Sequence, residues 1–175
     1  MVFNKSLLVG FKIILLSIIM LQFYSCEKDG LQGDIVIDNE LRNLLYIDSK
    51  DTLNIDMQNL VLETELYRDF FPGGGIPEKR GLTASLNVRN IDSLLIEDNV
   101  DIVTLYVING EQIWISTPES NDNYSIPDFI LHRVSNDGPE WDTGNYVDVV
   151  VKIRGFSSSA YNYLISRDQL INRIE

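Results

Sequence analysis

The chain has 175 residues, 45% hydrophobic and 23% charged, enough apolar material for one domain with its own core and too much for a disordered chain. Its formal net charge of -12 makes a surface that repels phosphate backbones and argues against a nucleic-acid partner. Cys26 is the only cysteine and His132 the only histidine, which excludes an intrachain disulfide and a zinc site built from several Cys and His.

Residues 1–25 read as a signal helix. Lys5 precedes the apolar run Ile13-Ile-Leu-Leu-Ser-Ile-Ile-Met-Leu21, and Gln-Phe-Tyr-Ser25-Cys26 follows it. The run is interrupted upstream by Lys12 and is short for a membrane span. Its removal takes away two lysines and no acid, which moves the net charge from -12 to -14. A small residue directly before a cysteine, at the end of such a run, resembles the cleavage box of bacterial lipoproteins. Phe23 departs from the aliphatic residue usual there, and Glu27-Lys28-Asp29 is similar to the tag that follows the lipidated cysteine in surface-displayed lipoproteins of Bacteroidota-type bacteria. The resemblance implies cleavage before Cys26, acylation of that residue and an outer-membrane location, facing either the periplasm or the exterior. Residues 26–34 would then be a lipidated cysteine and tether, and residues 35–175 the domain.

Ile35-Val-Ile37 and Leu44-Leu-Tyr-Ile47 are short apolar runs; the residues between them suit a helical turn or a strand, and residues 35–59 are read as an early strand region. Residues 60–67 and 82–89 alternate apolar and polar side chains, the mark of strands with one wet face. Between them, Arg68-Asp69 suggests a buried ion pair at the corner of the first strand. Gly73-Gly-Gly75 lacks the Lys-Ser/Thr of a phosphate loop and reads as a turn. Residues 101–108 and 111–117 flank Asn109-Gly110, which predicts a hairpin with a type I′ turn. Residues 128–134 form a further strand, and Tyr146-Val-Asp-Val-Val-Val-Lys-Ile153 is the most strand-like run of all, a central strand with residues 160–166 as its partner. The tail from Arg167 suits a last strand or a short helix.

Some seven strands without a long amphipathic helix in the mature chain predict an all-β sandwich or barrel. Asp142-Thr-Gly144-Asn-Tyr146-Val-Asp148 resembles the Asp-x-Gly-x-Tyr-x-Cys signature of immunoglobulin domains. The resemblance implies an immunoglobulin-like antiparallel β-sandwich, with Asp142, Gly144 and Tyr146 forming a tyrosine corner and Asp148 standing where the family has a cysteine. Residues 60–165 also resemble a group of uncharacterised bacterial secreted proteins, a likeness that brings no activity with it.

Trp114 is either a core residue between sheets or an exposed platform. Trp141 and Tyr124 stand in loop-like surroundings, where they either pack on the domain or stack on a sugar or peptide. Asp122, Asp128, Asp137, Glu140, Asp142 and Asp148 crowd two loops but lack the spacing of a calcium loop and read as solvated turn acids, so no metal or cofactor is expected. His132 lies on a strand without a histidine companion. The sequence therefore points to a lipid-anchored envelope accessory or binding domain without catalysis, its partner an unknown surface glycan or envelope protein. A carbohydrate- or peptide-binding module using Trp114, Tyr124 and Trp141 is the alternative, and a carboxylate-dependent hydrolase a remote one.

Overall fold

The computed structural model describes residues 33–55, 58–71, 81–97, 99–120, 125–136, 138–155 and 161–175. Cys26, Asp122, Tyr124, Asp137, the Gly73–Gly75 turn and the loop at 156–160 lie outside them. The elements in chain order are β1 (Asp34–Ile37), α1 (Asn39–Asp48), β2 (Ser49–Lys50), β3 (Thr52–Ile55), β4 (Gln58–Asp69), β5 (Leu82–Asn90), β6 (Asp101–Asn109), β7 (Gln112–Ser116), β8 (Ile130–Ser135), β9 (Tyr146–Arg154) and β10 (Asn162–Ile174).

The protein is mostly β, as its alternating pattern requires, but it is not the expected antiparallel two-sheet sandwich. One continuous sheet runs β1-β7-β6-β9-β10-β4-β5-β8, with β2 on β10 and β3 on β4, and curls into a half-barrel. The reason lies in β10. With 13 residues against nine in β9, it outruns its antiparallel partner, and its last four residues pair with β4, whose chain runs in the same direction: Ile171 faces Leu66 and Ile174 faces Asp69 in a parallel ladder. β2 joins the start of β10 in parallel as well. One strand thus joins the two halves that a sandwich would keep apart. The tail left open between strand and helix is strand.

Two apolar cores result. The interior holds Leu60, Leu62 and Leu66 of β4, Leu82 to Val88 at alternate positions of β5, and Val147, Val149, Val151 and Ile153 of β9. The smaller core lies on the other face of β6, β7, β9 and β10, where Ile108, Ile113, Val150 and Ile165 meet Leu45 of α1. Val149, Val150 and Val151 are consequently all buried, so β9 is covered on both faces and reads as a continuous apolar run. Residues 39–48 are helix, not part of the expected early strand region, and the signal is local: Asp38 accepts hydrogen bonds from the backbone N–H of Glu40 (3.0 Å) and Leu41 (2.9 Å), an N-cap. Leu41 and Leu45, four residues apart, then share the face that packs on the sheet.

The β6–β7 hairpin forms with a different turn. Asn109 pairs with Gln112, so the central residues are Gly110 and Glu111, and of these only Gly110 has positive φ (61°). Glycine at the first central position is the type II′ pattern, not type I′.

Arg68 and Asp69 do not pair, because successive strand residues point to opposite faces. Arg68 points inward, 9% exposed, and donates to the carbonyls of Glu140 (3.1 Å) and Trp141 (2.9 Å), with the Glu140 carboxylate 3.7 Å away. Asp69 points outward and accepts from the Phe71 N–H at 2.8 Å. The 138–141 segment held by Arg68 crosses from β5 to β7. Gly138 exchanges backbone bonds with Leu82, and Trp141 donates its indole N–H to Gln112 Oε1 at 2.7 Å.

Candidate functional site

The two outer faces of the curled sheet differ. That of β6, β7, β9 and β10 is covered by α1, as its apolar residues demand. On β4, β5 and β8 the outward positions are mixed, with polar groups in the majority: Val61, Glu63, Glu65 and Tyr67 on β4, Thr83, Ser85, Asn87 and Arg89 on β5, and Ile130, His132 and Val134 on β8. Register sets them in rows across the strands, Glu63–Asn87–His132 and Glu65–Ser85–Val134. Glu119 pairs with Val134 through two backbone bonds at the edge of β8, and Ser125, Ile126 and Pro127 wall the face. The cleft so formed has a volume of about 550 Å³ and is lined by Glu65, Tyr67, Ser85, Asn87, His132 and Asn136 together with the apolar Ile126, Pro127, Ile130 and Val134.

Its electrostatics are mild. Glu63 is neutralised by Arg89, which donates through Nε at 2.7 Å and holds a second guanidinium nitrogen at 2.6 Å. Glu65 brings a carboxylate to the cleft, which has no Lys or Arg among its lining residues. His132 Nδ1 lies 2.8 Å from Asn87 Oδ1. Burial, and then the neighbouring charge of Arg133, hold the imidazole below its ordinary pKa, so it is neutral at pH 7. The floor offers carboxylate, amide, hydroxyl and imidazole groups beside the tyrosine ring. This suits a neutral or cationic hydroxyl-rich ligand and repels a phosphate or carboxylate.

The residues singled out in sequence fall elsewhere. Trp114 is fully buried and serves as a core residue, not a platform: an added Cβ on Gly138 would stand 2.8 Å from its ring and 2.9 Å from the Leu82 carbonyl, so glycine is what allows this close approach. Trp141 is half-buried against the interior core with its N–H engaged, and Tyr124 lies outside the described residues. Tyr146 is 66% exposed. The turn that a tyrosine corner would fasten is tied instead by backbone bonds, Gly144 N–H to the Ile171 carbonyl and Ile171 N–H to that of Asn145, while Asp142 is exposed.

Asp148 sits opposite a bulge. Ser166 pairs with Val149 and Gln169 with Val147, leaving Arg167 and Asp168 against the single residue Asp148. Its carboxylate accepts from the Asp168 N–H (2.9 Å) and from the Tyr46 hydroxyl (2.7 Å). A cysteine's place in the signature is thus filled by a carboxylate with two partners. Among the described residues no three of His, Cys, Asp and Glu converge as a metal site, and no helix is long and apolar enough to cross a membrane.

Sequence reasoning missed the cleft, although its signal was present: β4 and β5 are amphipathic, and no described helix or strand covers their polar side. The fold and site define a curled mixed β-sheet protein with one helix-covered outer face and a second, mainly polar one that no described helix or strand covers. No protein-family model matches the chain, and neither a curated protein nor a solved structure is significantly similar to it.

Proposed function

We propose that this is a lipid-anchored cell-envelope binding protein without catalysis, and that its ligand is a neutral glycan held on the open face of β4, β5 and β8. The observation that carries the reading is the cleft itself: a sheet face with polar groups and one tyrosine, which no described element covers, while the opposite outer face is closed by a helix. Sugar rings present hydroxyls to carboxylate and amide groups and apolar C–H faces to aromatic rings, the two kinds of surface found here. The Ser25-Cys26 box after an apolar run supports anchoring at the outer membrane.

Two measurements test the proposal. Titration of neutral oligosaccharides into residues 27–175, with Tyr67→Ala and Glu65→Ala beside the wild type, is expected to show binding that each substitution weakens at least tenfold. Binding that both substitutions leave unchanged would move the site elsewhere. Labelling with a palmitate analogue is expected in the wild type and absent in Cys26→Ala; equal labelling of both would end the anchor.

A further inference from the structure

Three large apolar side chains stand half-exposed within five residues of one loop between β5 and β6: Ile91 (46%), Leu94 (50%) and Leu95 (60%). Single exposed leucines are ordinary, but a local cluster marks a surface that meets something apolar. The loop's backbone is held down while these side chains point out. Ile91 N–H donates to the Asn59 carbonyl and Ile96 N–H to that of Asp128. Gln58 donates to the Leu95 carbonyl, and Asn59 to the Asp92 carboxylate. Beside the loop lies a cleft of about 570 Å³ whose lining mixes Leu95, Ile96 and Val100 with the charged Glu97, Asp128 and Arg133, so the apolar surface is confined to the loop's own side chains.

The register places this loop on one rim of the half-barrel. Asp101, where β6 begins, pairs with Arg154 at the end of β9, and Asn162, where β10 begins, pairs with Ile153. Tyr161 stands on that rim, 51% exposed, with the Lys152 ammonium 3.7 Å from its ring centre. A tyrosine and a lysine on the same rim suit the level of lipid head groups. The chain enters β1 from the same side. Asp34 pairs with Ile115 and Ile37 with Gln112 beside the hairpin turn, so β1 runs away from the rim. Gly33 is seven residues from Cys26, a length that spans at most about 25 Å.

We infer that the Ile91–Leu95 loop and its rim rest on the membrane leaflet that holds the Cys26 lipid. The inference depends on the anchoring proposed above, and it goes further by giving the domain an orientation. The surface met is zwitterionic, since Asp92 and Glu97 are exposed beside the leucines and the chain is strongly acidic, so anionic head groups are repelled. The patch is too small to bind a membrane by itself and acts only once the lipid has brought the domain down.

The test uses the mature lipidated chain, reconstituted in phosphatidylcholine vesicles, with a fluorophore on Leu94→Cys or, as a control, on Glu111→Cys in the β6–β7 turn. Mass measurement of the amino-terminal peptide reports the lipid on Cys26. Lipids brominated in the acyl chains are expected to quench the Leu94 probe at least twofold and to leave the Glu111 probe unchanged. In a chain with lipid on Cys26, quenching at neither position or equally at both overturns the orientation while leaving the anchor standing. A Cys26 that carries no lipid removes the tether, and with it both proposals.

Discussion

The Tyr46 hydroxyl donates a 2.7 Å hydrogen bond to Asp148 across 102 residues of chain, joining α1 to β9 opposite the bulge in β10. The same carboxylate accepts from Asp168, whose φ of 54° is the left-handed conformation of the bulge. A bulge with a non-glycine residue in that region costs about 1 kcal/mol or more and persists where neighbours hold it. Asp148 is that neighbour.

Removing the carboxylate leaves a phenol and a backbone N–H without their acceptor. Asp148→Ala is expected to destabilise the fold by about 2–4 kcal/mol and Tyr46→Phe by about 1–2 kcal/mol, with a double-mutant cycle by urea denaturation showing coupling of at least about 0.5 kcal/mol. Purely additive losses would show that the bond contributes nothing of its own. Burial first, and then the bond to Asp148, push the Tyr46 pKa from 10.0 up to about 12. A group whose pKa is raised by folding gives stability that is present below its unfolded pKa and lost as pH rises through the folded one. The wild type is therefore expected to lose stability between pH 10 and about 12, and Tyr46→Phe to lose less over the same interval.

Two glycines give opposite controls. At Gly138 a Cβ would meet the Trp114 ring and the Leu82 carbonyl at 2.8 to 2.9 Å, whereas at Gly110 it meets nothing within 4 Å but the φ is 61°. Gly138→Ala is expected to cost about 1–3 kcal/mol through overpacking, and Gly110→Ala about 1 kcal/mol through the backbone alone. Gly110→Asn, which tolerates the left-handed region, should recover part of the second loss; thermal melts would read all three.

His132 tests the open face by pH. Its pKa is lowered, first by burial and then by the charge of Arg133, so its contribution to stability is complete above the ordinary value of about 6.5 and is lost as pH falls through the lower folded value. Urea midpoints are expected to fall between pH 7 and 5, with a shallower fall in His132→Gln. Identical slopes would show that the imidazole is not held neutral by its surroundings.

From the sequence alone β4 to β9 and the start of β10 were legible, because alternation of apolar and polar residues is a local signal, and so was the β6–β7 hairpin, though not its turn type; the helix over 39–48 and the end of β10 were not. The sequence also carries the apolar run ending at Ser25-Cys26 on which the anchoring proposal rests. It marked Asp148 as the point where the immunoglobulin likeness was weakest, since a carboxylate cannot enter a cysteine's buried site without partners. Tertiary structure decided what pairs beyond a hairpin. Which strand receives the end of β10 depends on the direction in which β4 runs, and no residue in β10 records that. The same holds for the tryptophans. Trp114 reads alike as core or as platform until Gly138 is brought against its ring. The open face is likewise a property of two strands joined to a third across intervening loops. Glu65, Asn87 and His132 became neighbours only when β4, β5 and β8 came into register, while α1 packed on the other half of the sheet.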